Sequence, residues 1–221
     1  SPPSTQGYLT LSTLKGFEMI NNKDDYLHTL IESYRIFASD RDNITYDYQG
    51  NDQKFLGTDD QYIRDKVGLF DENAAGKYNF PNPHGGGTAY MNAVDKNGLG
   101  VSLIQSNFYG IGSRIGVGSY GFFLHNRGCG FNLIEGHPNS LGPNKKPLHT
   151  LSPTIWSKDG SLDFITGTRG GRYQPQLLAQ TILPYILGES SFEKIMENET
   201  FAPLIGANAP FFHDVFKTSK T

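Results

Sequence analysis

Three consecutive glycines, Gly85-Gly86-Gly87, run into Thr88, and the chain changes character at that point. Upstream, apolar residues recur at helical spacing; from Thr88 onward they alternate as strands do. Residues 70–87, rich in Asn, Asp, Gly and Pro, read as the loop between the two regimes. A chain organised in this way is restricted to an α+β arrangement, with helices layered outside packed antiparallel sheets. Its 26 glycines and 13% aromatic content suit tight turns and packed sheets better than a helical bundle.

The elements follow from the pattern. Leu11, Leu14 and Phe17 lie at helical spacing within Tyr8–Phe17. A second helix is expected over Asp25–Ala38, with Tyr26, Leu27, Leu30, Ile31 and Tyr34 as its apolar stripe, and a third over Asp59–Val67. Residues 40–58 are polar and lack a clear period. Thr88–Asp95 and Leu99–Asn107 flank Lys96-Asn97-Gly98, and Asn-Gly is a strong hairpin signal. Tyr120–Asn126 reads as a further strand. Thr154–Ser157 and Leu162–Gly167 flank Lys158-Asp159-Gly160 as a second hairpin, and an apolar helix is expected over Gln176–Leu187. No internal repeat or low-complexity tract interrupts this order.

Thr88 carries the chemistry. A hydroxyl is a weak nucleophile at neutral pH and needs an adjacent base. Cleavage between Gly87 and Thr88 would supply one, because an α-amino group titrates at about 7.7–8.0. Glycines ahead of the cut permit backbone geometries that a Cβ atom forbids. Gly-Gly-Gly-Thr taken alone also fits a flexible loop leading into a strand, so the neighbouring motifs decide.

Those motifs are Tyr90-Met91-Asn92-Ala93-Val94-Asp95, Val101-Ser102-Leu103-Ile104-Gln105-Ser106-Asn107, Gly142-Pro143-Asn144-Lys145-Lys146-Pro147-Leu148, Leu151-Ser152-Pro153-Thr154 and Gly167-Thr168-Arg169-Gly170-Gly171. In this order and spacing, from Thr88 to about Leu187, they resemble the γ-glutamyltranspeptidase family of amino-terminal-nucleophile hydrolases. Ser1-Pro2-Pro3-Ser4-Thr5 resembles the Pro-Pro-Ser segment late in that family's large subunit. The resemblance implies an αββα four-layer sandwich, only part of it in this chain. It also implies a precursor that cuts itself at Gly87–Thr88. Residues 1–87 would be the end of the large subunit plus a linker, and residues 88–221 a small catalytic subunit incomplete at its C-terminus. Ser1 would then lie mid-chain in a longer precursor, with the upstream large-subunit portion as partner and the compartment left open.

The resemblance also assigns roles. Thr88 is the nucleophile, forming an acyl-enzyme that passes to water or to an amine acceptor. Ser106 is the hydroxyl residue beside it, and the backbone N–H groups of Gly170 and Gly171 face the developing oxyanion. Pocket residues depart from the family pattern. Its Asn-Glu-Met-Asp-Asp-Phe segment is here Asn126-Arg127-Gly128-Cys129-Gly130-Phe131, without a carboxylate. Phe108 replaces an asparagine, and His149-Thr150 stands where the family has Ser-Ser. The loop 132–141 is shorter than the bacterial lid segment. These changes remove a cage for a substrate ammonium and resemble the acylase or amidohydrolase-like branch. Arg127, Arg169 and Arg172 are candidates for holding a substrate carboxylate, and His149, Thr150 and Phe108 for lining the pocket.

Composition limits the alternatives. A net charge of −3 gives no electrostatic case for nucleic acid. No apolar run approaches the roughly 20 residues of a membrane span. The single cysteine, Cys129, excludes an internal disulfide and is expected to be a small buried residue. No histidine spacing indicates a metal, and no cofactor is expected. His84-Gly85-Gly86-Gly87 mimics a lipase oxyanion motif but lacks the nucleophile elbow. Gly116-Val117-Gly118-Ser119-Tyr120-Gly121 mimics a dinucleotide fingerprint without the required helix after it. Three readings remain: a γ-glutamyltransferase or glutathione-hydrolase-like enzyme, an acylase or amidohydrolase on a non-glutamyl amide, and a non-catalytic binding homologue.

Overall fold

The computed structural model describes residues 4–22, 24–48, 55–78 and 87–197. The first three motif residues, His84 to Gly86, part of the connecting loop and residues 198–221 lie outside the described set. The order of elements is α1 (Tyr8–Ile20), α2 (Tyr26–Ala38), α3 (Arg41–Ile44), α4 (Asp60–Val67), β1 (Thr88–Val94), β2 (Gly100–Ser106), β3 (Thr154–Lys158), β4 (Ser161–Thr166), α5 (Gln174–Ile186) and α6 (Phe192–Glu197). Helix and sheet are segregated as the pattern predicts.

Local chemistry explains the helix starts. The Asp25 carboxylate accepts the His28 N–H at 3.1 Å and opens α2. Asp59 does the same for α4, accepting from Gln61 N at 3.0 Å and Tyr62 N at 3.1 Å. Each satisfies amide groups that a helix end would otherwise leave unpaired. The short α3 and α6 have no counterpart in the sequence reading.

Helix α1 is centred differently from its apolar stripe. Leu11 is 48% exposed, whereas Leu9, Thr10, Ser12 and Thr13 are completely buried. The buried face is built from small residues that let helices approach closely. A Cβ at Gly16 would stand 2.6 Å from the Phe37 ring of α2. Ser12 hydrogen-bonds the Tyr8 and Gly57 carbonyls, and Thr10 the Pro175 carbonyl. Phe17 and Leu14 of the apolar stripe do pack into the core and Leu11 does not, while the buried hydroxyl residues beside them carry no hydrophobic periodicity. Around α1 two clusters form the core: Tyr8, Leu9, Phe37, Ile44 and Ile63, and then Phe17, Leu30, Ala179 and Leu183.

The sheets are two antiparallel hairpins, β1–β2 and β3–β4. They pack on each other: a Cβ on Gly100 would meet Ile165 at 2.5 Å, and one on Gly167 would meet Tyr90 at 2.3 Å. The predicted strand Tyr120–Asn126 does not form. The chain there makes one isolated bridge, Gly116 to Phe123, around turns at Gly118 and Gly121, both in the left-handed region. Alternating aromatic residues gave that segment a strand-like look, but the two glycine turns fold it into a loop. Cys129, expected to be buried, is exposed, in a tight 3-10 turn over Arg127–Gly130 between two glycines.

Candidate active site

The hairpin turn places the two hydroxyls. Asp95 Oδ1 accepts from Asn97 N and Leu99 N, at 2.8 and 2.9 Å, and Gly98 takes φ 84°. This locks a register in which Val94 faces Gly100 and, at the far end, Thr88 faces Ser106. A slip of one residue would turn every side chain to the opposite face and separate the pair.

Ser106 Oγ is fully committed. It accepts from Thr88 Oγ1 at 3.1 Å and from the Phe108 N–H at 3.0 Å, and donates its own hydrogen to the Gly87 carbonyl at 3.1 Å. A hydroxyl has one hydrogen and two acceptor sites, and all three are used. The resulting line runs from the Thr88 hydroxyl through Ser106 to the carbonyl of the peptide bond that precedes Thr88.

Beyond Ser106 the backbone turns sharply. Phe108 has φ 77°, unusual for a bulky side chain. It is buried, and its ring stacks on Tyr109 with centroids 3.9 Å apart. The Arg127 guanidinium lies over the other partner of this corner, 4.5 Å from the Phe108 centroid, and donates from Nη1 to Thr150 Oγ1 at 2.9 Å. Its Nε and Nη2 are buried without partners among the described residues. Burial pushes its pKa down to about 10, so it stays charged at neutral pH. His149 is pushed down to about 4, by burial first and then by Arg127 and His125, and is neutral. Its Nδ1 accepts the Leu151 N–H at 3.3 Å.

The glycine pair closes the opposite side. Gly170 has φ 126° and Gly171 φ 55°, conformations that suit residues without Cβ. Gly171 opens a 3-10 turn, Gly171–Tyr173, that continues into α5. A pocket of about 10 Å³, room for about one water, is lined by Thr88, Ser106, Phe108, Tyr109, Thr150, Gly171 and Arg172.

Of the residues predicted from sequence, Thr88, Ser106, Phe108, Thr150 and Gly171 line this pocket together, with Gly87 and Gly170 adjacent in the chain. Arg127 stands one layer back, behind Phe108 and Thr150. His149 joins the N-terminal segment through a parallel bridge to Thr5 instead of lining the pocket. Arg169 is exposed, and Arg172 reaches the pocket wall while its Nη1 bonds both oxygens of Asp42 at 3.2 Å. Sequence reasoning missed Tyr109, Gln6, Arg41 and Asp42. Gln6 directly follows the Ser1–Thr5 segment already singled out, the one signal that could have raised it. Among the described residues, no three His, Cys, Asp or Glu side chains gather as a metal site, and no helix is long and apolar enough to cross a membrane.

A threonine at the head of a strand, a preceding peptide carbonyl held by a neighbouring hydroxyl, and a positive-φ glycine corner facing both belong to the amino-terminal-nucleophile hydrolase class. Within it, the chain belongs to the γ-glutamyltranspeptidase family, whose sequence description, "Gamma-glutamyltranspeptidase", matches residues 1–207. It is 34% identical over 188 residues to the glutathione hydrolase-like YwrD proenzyme of Bacillus subtilis, covering 80% of this chain and 34% of that protein. It is 31% identical over 201 residues to the oxamate amidohydrolase proenzyme of Klebsiella pneumoniae, covering 84% and 36%. The cephalosporin acylase of Bacillus halodurans superposes with a TM-score of 0.73 at 26% identity, over 86% of this chain and 35% of that one. The chain thus spans about a third of the length of the curated relatives it matches.

Proposed function

We propose that the protein is an amide hydrolase or acyltransferase that cuts itself between Gly87 and Thr88 and then works through a Thr88 acyl-enzyme. The observation that carries this is the line from Thr88 Oγ1 through Ser106 Oγ to the Gly87 carbonyl, with 3.1 Å at each step. Thr88 Oγ1 attacks the Gly87 carbonyl carbon while Ser106 withdraws its proton and donates to the carbonyl oxygen. The acyl group moves from nitrogen to oxygen, the Thr88 nitrogen takes up a proton, and water hydrolyses the ester. The freed α-amine then serves as the base for turnover. Amide N–H groups of Gly170 and Gly171 stabilise the oxyanion, a contribution of about 10²–10³-fold in rate per donor. Relatives named as proenzymes support self-cleavage. Residues 1–87 and 88–221 would become the two products. The two hairpins would be the inner layers of an αββα sandwich completed by further parts of the protein.

The pocket favours an acyl group without a substrate ammonium. Among the described residues lining it, none is a carboxylate, and Arg172 is on its wall. Arg127 adds a buried charge with two unpaired nitrogens nearby, and charge acts strongly in a poorly solvated setting. Such a site suits a small amide bearing a carboxylate, and the name of the Klebsiella pneumoniae relative, oxamate amidohydrolase, supports that reading. A γ-glutamyl donor is the second reading, supported by the name of the Bacillus subtilis relative.

Intact mass of the full-length protein over time, beside its Thr88→Ala form, tests the mechanism. Two fragments meeting at Gly87–Thr88 in the parent and one uncut chain in the variant are expected. A parent that folds and stays whole would remove self-activation and favour a non-catalytic homologue. Turnover of dicarboxylic monoamides ahead of a γ-glutamyl anilide is the expected preference; the reverse order would overturn the choice of acyl group.

A further inference from the structure

The segment ahead of the proposed cut holds two residues of the pocket wall from behind. Gln6 is completely buried, and both hydrogens of its side-chain amide are used. Its Nε2 donates at 2.8 Å to the carbonyl of Thr150 and, with its second hydrogen, at 2.8 Å to the carbonyl of Gly171. Both residues line the pocket. Its Oε1 accepts from Arg41 Nη1 at 3.3 Å, and its backbone N–H bonds the His149 carbonyl at 3.0 Å.

The contacts continue into a closed ring. Arg41, itself buried, bonds Asp42 Oδ1 from Nε at 2.9 Å, and Asp42 holds Arg172 Nη1 at 3.2 Å. Arg172 follows Gly171 in the chain, so the ring returns to the carbonyl where Gln6 began. Tyr34 adds a third hold from α2, donating to the Arg172 carbonyl at 3.2 Å. Gly170 and Gly171 both sit at positive φ, where a glycine backbone has wide freedom of its own. The ring and Tyr34 remove that freedom from outside.

We infer that Gln6 is a positioning residue, which from the far side of the cleavage point sets the glycine corner that faces the Thr88 carbonyl-binding position. This rests on the reading of Thr88 as nucleophile. Gln6 touches neither substrate nor reacting atoms; it fixes the Gly171–Arg172 peptide, directly after the two proposed donors, and so limits the turn that aims them. After cleavage Gln6 and Gly171 belong to different polypeptides, and the twin bond from one amide joins them. A carboxylate cannot replace it, because two carbonyl oxygens demand two hydrogens.

The test uses the full-length protein in its cleaved form, with the best amide substrate found for the parent. Gln6→Met keeps the volume and removes the hydrogen bonds. A fall in kcat of about tenfold to a hundredfold is expected, below the full loss of an oxyanion donor, with KM within about threefold of the parent. A kcat within threefold of the parent overturns the inference, as does a loss that falls on KM alone. Should Gln6→Met fail to fold, Asp42→Asn decides, since it opens the ring at its exposed side and leaves the buried amide in place. A kcat loss of about threefold or more there supports the ring; an unchanged kcat overturns it. Thr88→Ala is measured alongside. Turnover by that variant would sink the nucleophile assignment, whatever Gln6 does, so the two failures remain distinct.

Discussion

The helical and hairpin halves of the molecule are held by different means. Around α1, Leu9, Ile36 and Phe37 are fully buried, and two apolar clusters fill the space between helices. In β1 and β2 only Ile104 is buried, while Met91, Val94, Val101 and Leu103 are each about half exposed. A lone two-stranded hairpin is marginal in water. The Thr88 and Ser106 hydroxyls therefore ride on the thinner half, and the Gly171–Arg172 part of the pocket wall is fastened to the thicker one by Gln6, Arg41, Asp42 and Tyr34. The helical half thus carries the larger core and also anchors one part of the pocket wall.

The largest expected effect breaks the contrast at its strong side. Phe37→Ala should destabilise by about 3–5 kcal/mol, whereas Leu103→Ala, exposed on β2, should stay within about 0.5 kcal/mol. Urea unfolding of each variant measures both, and similar losses would mean that the hairpin face is as covered as the helical core. Next in size, Ser106→Ala should slow self-cleavage by about 10²-fold, in the lower range for proton transfer by a positioned side chain. Ser106→Thr should restore much of the rate, because it returns the hydroxyl; the half-time of the uncut chain by mass spectrometry reads this.

A smaller effect concerns pH. His149 takes up its proton near pH 4 when folded and near its ordinary 6.5 when unfolded. Its contribution is complete above pH 6.5 and is lost as pH falls from 6.5 toward 4, since the unfolded chain then binds the extra proton. The urea midpoint should decline across that window, and His149→Gln should flatten the decline. A midpoint indifferent to the substitution would place the acid sensitivity elsewhere.

Much of this was legible because it is local. Asp25 and Asp59 announce helix starts, Asn97-Gly98 announces the turn, and the turn's register alone brings Thr88 to Ser106. What stayed hidden depends on distance along the chain. Gln6 meets Thr150 and Gly171 across separations of 144 and 165 residues, and no spacing rule reaches that far. The buried face of α1 was only partly legible for another reason: beside Leu9 and Phe17 it carries Thr10, Ser12, Thr13 and Gly16, whose packing leaves no apolar trace. Arg127 was foreseen as a substrate contact, yet it lies over the Phe108 ring, and Phe108, bent into a left-handed conformation, lines the pocket with Thr88 where Arg127 does not.

The saturated Ser106 hydroxyl sets an order of events. In the uncut chain its hydrogen is spent on the Gly87 carbonyl, so on the proposed reading the protein is occupied by its own backbone as a tethered competitor. No outside amide can enter until that first, internal one has been broken and has withdrawn. The enzyme would carry its safety catch in the same three atoms as its trigger, and releasing it could happen only once per molecule.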